Sequence, residues 1–148
     1  MFTHVLTPVD GSEISMLAAR KGIELAKLCI AKLTAILVSP TYRQHFQDGF
    51  VVPTVQVIRE RWEEQMAERA MAVLNQICAQ AGTAGIQCNP VHAFGDAPYQ
   101  AIIDAANKHE CDVIVMGSHG HGGFKQFMLG SETMRVLSHS TIPVVVYR

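Results

Sequence analysis

The chain has 148 residues, 49% of them hydrophobic, which fits one domain spanning residues 1–148 with a substantial core. Its formal net charge of −1 gives no long-range attraction to nucleic acid or to an anionic membrane. No apolar run approaches the ~20 residues that cross a bilayer, and the N-terminus lacks a signal-peptide pattern. We therefore expect a cytoplasmic protein that binds neither nucleic acid nor a membrane.

Predicted strands and helices alternate along the chain. Apolar runs predict strands at residues 5–9, 33–38, 86–94, 113–116 and 143–147. Helical spacing predicts a helix over residues 14–29, a long helix ended by Gly82 and Gly85, a helix capped by Asp96, and a helix that opens at Ser131. This alternation predicts an open parallel α/β sheet, but periodicity does not give the strand order.

A cluster of glycines separates the fourth predicted strand from the last helix. Its spacing is Gly117-x2-Gly120-x9-Gly130-Ser131. A strand that ends in glycines and leads into a helix brings backbone N–H groups close to an anion. The P-loop pattern is missing, and Lys125 stands where a dinucleotide fingerprint needs its last glycine. We therefore predict a phosphate or nucleotide site of another type within residues 117–133.

Together with this glycine spacing, two further segments match the pattern of one known protein family. They are residues 5–12, Val-Leu-Thr-Pro-Val-Asp-Gly-Ser, and the last helix and strand over residues 136–146. The three segments follow one another as they do in the universal stress protein family, and the chain resembles that family over its whole length. The resemblance implies a single open, mostly parallel five-stranded sheet of order 3-2-1-4-5 with helices on both faces. Strands 1 and 4 are then neighbours where the winding reverses, and ligands bind outside the carboxyl ends of strands at such a point.

The resemblance also implies which residues hold an adenine nucleotide. It places Pro8, Val9 and Asp10 beside adenosine and the backbone of Val38 against the base. It also places Gly120 and Gly130 where the chain approaches phosphate. Residues at the end of the fourth strand line the base or ribose, and His119 matches a position that is often histidine. The candidate site residues are Pro8, Val9, Asp10, Val38, Met116, Gly117, His119, Gly120, Gly130, Ser131, Glu132 and Thr133.

Several of these residues have a plain structural alternative. Asp10 can bond a ribose or base edge, or cap a helix with Glu13 in a capping box. Ser131 and Thr133 can bind phosphate or cap the last helix. Glu132 stands where the family usually has a small or apolar residue, and its carboxylate would repel a polyphosphate. We therefore expect discrimination against the terminal phosphates, or a divalent cation that holds ATP.

The leading functional hypothesis is a stress-response or signalling module that binds ATP, ADP or AMP, with or without Mg²⁺, and presents its state to an unidentified protein partner. One alternative is a slow ATPase or nucleotidyl-transfer enzyme, and another is a dimeric interaction module with a vestigial site. Phosphoryl transfer needs metal-holding groups and a residue that orients the nucleophile. Beyond Asp10 and Glu132 the region offers no acidic pair. The pair His119 and His121 lacks further metal ligands, so we rank binding above catalysis.

The last strand predicts self-association. Val144, Val145 and Val146 form an apolar run, and in the implied strand order they lie at a sheet edge, which is a pairing liability unless covered. The resemblance implies a homodimer in which this strand pairs antiparallel with its copy across a twofold axis.

The cysteines suggest no metal site or disulfide framework. Cys29, Cys78, Cys88 and Cys111 are scattered without a CxxC spacing, and the first two fall among apolar helical positions. This pattern favours buried, reduced thiols.

Overall fold

Five strands and four helices alternate in the computed structural model, which describes residues 1–43, 55–119 and 128–148. Each predicted element is present, with bounds shifted by only a few residues where a bound was predicted. The elements are β1 (His4–Pro8), α1 (Glu13–Cys29), β2 (Lys32–Ser39), α2 (Val55–Thr83), β3 (Cys88–Phe94), α3 (Pro98–Lys108), β4 (Val113–Gly117), α4 (Ser131–His139) and β5 (Val144–Tyr147).

The strands form one sheet in the order β3-β2-β1-β4-β5, and every neighbouring pair is parallel. The order implied by the resemblance is thus confirmed. Backbone pairing of β1 with β4 runs through Val5 with Val113 and Leu6 with Ile114. At the next position the Thr7 hydroxyl donates to the Val115 carbonyl at 3.0 Å. The winding of the chain reverses between these two strands, which is where a parallel sheet offers a crevice at its carboxyl edge.

Helices cover both faces of the sheet because successive strand side chains point to opposite sides. Val5, Leu33 and Val113 pack with apolar residues of α1 and α2. Leu6 and Ile114 pack on the other face with apolar residues of α3 and α4. The central strands therefore carry nearly continuous apolar sequence, as strands buried on both faces do.

Two of the four cysteines contradict the expectation of reduced thiols. Cys78 in α2 and Cys88 at the start of β3 form a disulfide, with their Cα atoms 5.2 Å apart. The turn at Gly82 and Gly85 reverses the chain, so the end of the helix lies over the beginning of the strand. Cys29 and Cys111 are free, and burial raises the pKa of the Cys111 thiol to about 11.

The predicted cap of α3 is also wrong. The residue before the helix is Ala97, which makes no side-chain capping bond. Asp96 instead accepts hydrogen bonds from the backbone N–H of Thr41 at 3.2 Å and from the Thr41 hydroxyl at 2.6 Å. Those bonds lower the pKa of Asp96. The Asp96 carboxylate therefore binds Thr41, which is distant in sequence, and does not cap α3. The residue before α3 makes no capping bond.

Candidate functional site

A cavity of about 390 Å³ opens at the carboxyl ends of β1, β2 and β4, beside the first turns of α3 and α4. Every predicted site residue that the structure describes lines it; Gly120 lies outside the described residues. Among the described residues, those that line it are Pro8, Val9, Asp10, Ser15, Ile36, Val38, Pro98, Ile102, Met116, Gly117, His119, Gly130, Ser131, Glu132 and Thr133. The volume falls in the range of small-molecule sites.

Apolar side chains make up much of the cavity wall. Val9, Val38 and Met116 were predicted, whereas Ile36 and Ile102 were missed because they look like ordinary core residues of a strand and a helix. A signal for them existed in principle. Residues near the carboxyl end of β2 and in the first turns of α3 must face the same sheet edge as the predicted site. An apolar wall of this kind suits a planar, largely uncharged group.

Asp10 is held in a turn at the rim of the cavity. Its Oδ1 accepts hydrogen bonds from the backbone N–H of Ser12 at 2.9 Å and from the Ser12 hydroxyl at 2.5 Å. Ser12, and not Asp10, is the cap of α1, since its hydroxyl oxygen accepts the N–H of Ser15. The capping-box interpretation of Asp10 is therefore wrong. The turn needs Gly11, whose φ of 83° lies in the left-handed region.

Gly130 has a structural reason to be glycine that does not depend on a ligand. Its N–H donates to the Ser118 carbonyl at 2.6 Å. A Cβ at this position would lie 3.1 Å from the Cα of His119, which is too close without a shift of backbone. The φ of −62° is open to any residue, so the close approach, and not the backbone conformation, is what favours glycine. This contact brings the N-terminus of α4 against the end of β4.

The two hydroxyls at the start of α4 have different surroundings. Thr133 is buried, and its hydroxyl donates to the Gly117 carbonyl at 3.0 Å. It therefore fastens the helix to the strand. Ser131 is exposed and is the first residue of the helix. The first N–H groups of any helix have no intrahelical partner and carry partial positive charge, so the surface around Ser131 suits an anion.

Glu132 connects the two helices that border the cavity. Its Oε2 accepts the backbone N–H of Tyr99 at 2.8 Å, and its Oε1 accepts a guanidinium N–H of Arg135 at 3.1 Å. The Arg135 guanidinium also lies 5.7 Å from the centre of the Tyr99 ring. Glu132 thus supplies to α3 the N-terminal acceptor that Ala97 lacks. This bond joins residues 33 positions apart, so local sequence does not reveal it.

The described parts of the chain contain no group of three or more His, Cys, Asp or Glu side chains that could hold a metal ion. His121 lies outside those parts. None of the helices described is both long and apolar enough to cross a membrane.

Comparison with known proteins agrees with this arrangement. A model of the universal stress protein family matches residues 1–148. The chain belongs to that family. It is 31% identical to the universal stress protein YxiE of Bacillus subtilis, and the match covers all of both chains. The structure of the universal stress protein UspA from Lactobacillus plantarum matches with a TM-score of 0.82 and 26% identity, over 99% of this chain and 97% of that one.

Two more distant structures of the family contain nucleotides. A universal stress protein in complex with cAMP matches with a TM-score of 0.70 and 22% identity, over 99% of this chain and 97% of that chain. The universal stress protein from Archaeoglobus fulgidus in complex with dAMP matches with a TM-score of 0.66 and 17% identity, over 100% and 98% of the two chains. At these identities the likeness shows a shared fold.

Proposed function

We propose that this universal stress protein binds an adenine nucleotide, ATP, ADP or AMP, in the cavity at the carboxyl edge of its sheet and acts as a stress-response or signalling module. The observation that carries the proposal is the convergence of the predicted site residues on one cavity beside the start of α4. The cAMP and dAMP complexes of two relatives support the choice of ligand class.

Each part of a nucleotide has a matching surface in this proposal. The base packs on the apolar wall that includes Val38 and Met116. Asp10 lies at the rim, where a carboxylate accepts hydrogen bonds from ribose hydroxyls. The phosphate lies at the first turn of α4 near Ser131, because helix N-termini attract anions. Gly120, which we expect to contribute there, lies outside the described residues.

Ser131→Asp tests the proposal at the phosphate. Aspartate suits the first turn of a helix, so the fold should keep its thermal stability while the added carboxylate repels phosphate. We expect AMP affinity, measured by isothermal titration calorimetry, to fall at least tenfold, about 1.4 kcal/mol. The matched variant Ser131→Ala removes only the hydroxyl and should bind AMP nearly as the unchanged protein does. Equal AMP affinity in all three proteins would contradict the site.

We also propose a homodimer that forms through β5. This strand lies at one edge of the sheet, and Val145 at its middle is 45% exposed. Val144 packs on the α4 side of the sheet, so the Val145 side chain points to the other face, and a second copy that pairs with the edge would cover it. Light scattering should show a dimer at micromolar concentration that Val145→Lys converts to monomer. A monomer before substitution, or a dimer after it, contradicts this interface.

A further inference from the structure

We infer that Glu132 makes this site select adenine nucleotides by phosphate charge, so that it favours a nucleotide with one phosphate over ATP. The inference rests on the proposed nucleotide site and names the ligand class within it. Three observations carry it: the position of the carboxylate, the two bonds that hold it there, and the charges of the cavity wall.

The carboxylate stands next to the proposed phosphate position. Glu132 is the second residue of α4 and lines the cavity beside Ser131. A phosphate bound to the first turn of this helix therefore lies near a fixed negative charge. Coulomb repulsion grows with each charge added to the ligand, so a chain of three phosphates is disfavoured more than one phosphate.

Two hydrogen bonds keep the carboxylate from swinging away. The Tyr99 N–H and the Arg135 guanidinium each hold one of its oxygens, at 2.8 and 3.1 Å. Only about a third of the side chain, 36%, is exposed. Moving it into solvent would break both bonds and leave α3 without its N-terminal acceptor. Glu132 lines the cavity and Arg135 is not among the described lining residues, so the guanidinium lies farther from a bound phosphate and reduces the repulsion without cancelling it.

The hydrogen bond from the Tyr99 N–H to Glu132 also occupies a second place where phosphate would otherwise bind. The N-terminus of α3 borders the cavity at Pro98, and helix N-termini attract anions. Here the Tyr99 N–H already serves Glu132. A longer phosphate chain would have to displace that carboxylate to use this N–H.

The charges of the cavity wall point the same way. Among the residues that line the cavity in the described ranges, none is lysine or arginine, and the two carboxylates are Asp10 and Glu132. The wall that the structure describes therefore supplies two carboxylates and hydrogen-bond donors, with no lysine or arginine to offset the additional phosphates of ATP.

Glu132→Gln separates charge from structure. The amide oxygen of glutamine can still accept the Tyr99 N–H, while the negative charge is removed. We expect calorimetry on the full-length protein to show AMP binding more tightly than ATP before the substitution. Glu132→Gln should then tighten both nucleotides, ATP roughly fivefold and AMP, which carries less phosphate charge, roughly twofold. Glu13→Gln, in the first turn of α1 and outside the cavity lining, is the matched control and should change neither affinity.

A second measurement needs no substitution. Salt screens the repulsion, so raising sodium chloride from about 50 mM to about 500 mM should narrow the preference for AMP over ATP. Equal affinities for ATP and AMP in the unchanged protein, a preference that salt leaves constant, or equal changes of both nucleotides in Glu132→Gln would each overturn the inference. Those outcomes leave nucleotide binding itself intact. If no adenine nucleotide binds the unchanged protein, the proposed function fails and the inference with it.

Discussion

The two ends of the sheet are built differently. At the carboxyl end, β1 and β4 border a cavity of about 390 Å³ beside two helix N-termini. At the amino end, side chains join the elements to one another. Asp112 accepts hydrogen bonds from Thr3 and His4, and the disulfide of Cys78 and Cys88 joins α2 to β3.

This difference separates binding from stability in the molecule. In a parallel sheet all carboxyl ends share one edge, where the N-termini of the following helices gather, and those backbone donors that no side chain has bound are available to a ligand. The polar groups of the amino end described above satisfy each other instead. We therefore expect substitutions at the amino end to change the free energy of unfolding with little effect on nucleotide affinity.

The disulfide should give the largest effect at the amino end. It closes a short loop with a sequence separation of 10, for which loop-closure entropy predicts a contribution of about 3 kcal/mol. Reduction with dithiothreitol should lower the free energy of unfolding, measured in urea, by about that amount. Nucleotide affinity should stay within twofold, because neither cysteine lines the cavity.

Two controls identify the pair responsible. The double variant Cys78→Ala with Cys88→Ala should lose the response to reductant, whereas Cys29→Ala should keep it because Cys29 is free. Four titratable thiols in the unreduced, denatured protein would contradict the disulfide. A loss of AMP affinity on reduction would contradict the separation of the two ends.

Much of this fold could be predicted from local sequence together with resemblance. The apolar runs of β1 and β4 gave their positions because both faces are buried, and the alternation with helices fixed a parallel sheet. The resemblance supplied the order that periodicity could not. Once the order is known, the strand ends at Pro8 and Gly117 must share an edge, which is why the predicted residues around one cavity could be named in advance.

What escaped prediction depends on contacts between distant elements. Ile36 and Ile102 have the sequence pattern of core residues, and their place in the cavity wall follows only once the strand order and the position of α3 are known. Asp96 accepts a hydrogen bond from Thr41, so the acceptor at the N-terminus of α3 comes from Glu132. Such exchanges of partner follow from tertiary packing, which overrides local capping preference.

Asp112 should give a smaller effect than the disulfide, and one that depends on pH. Partial burial acts to raise its pKa, but hydrogen bonds from His4 and Thr3 outweigh burial and leave the pKa below its ordinary value of 3.8. A carboxyl group with a lowered pKa stabilises the fold above the unfolded-state pKa. This stabilisation is lost as the pH falls through the folded-state pKa.

Asp112→Asn keeps one carbonyl acceptor and removes the charge, so it should lower the free energy of unfolding at neutral pH by about 1–2 kcal/mol. That loss should shrink toward zero as the pH falls from about 5 to below about 3, where the native carboxyl is also neutral. Asp104→Asn is the control: Asp104 is exposed and accepts one hydrogen bond, from Gln100, so its substitution should cost less than about 0.5 kcal/mol. Urea unfolding across this pH range measures both. A loss at Asp112 that is independent of pH, or no greater than at Asp104, would mean that its three bonds to Thr3 and His4 do not fasten the amino end of the sheet.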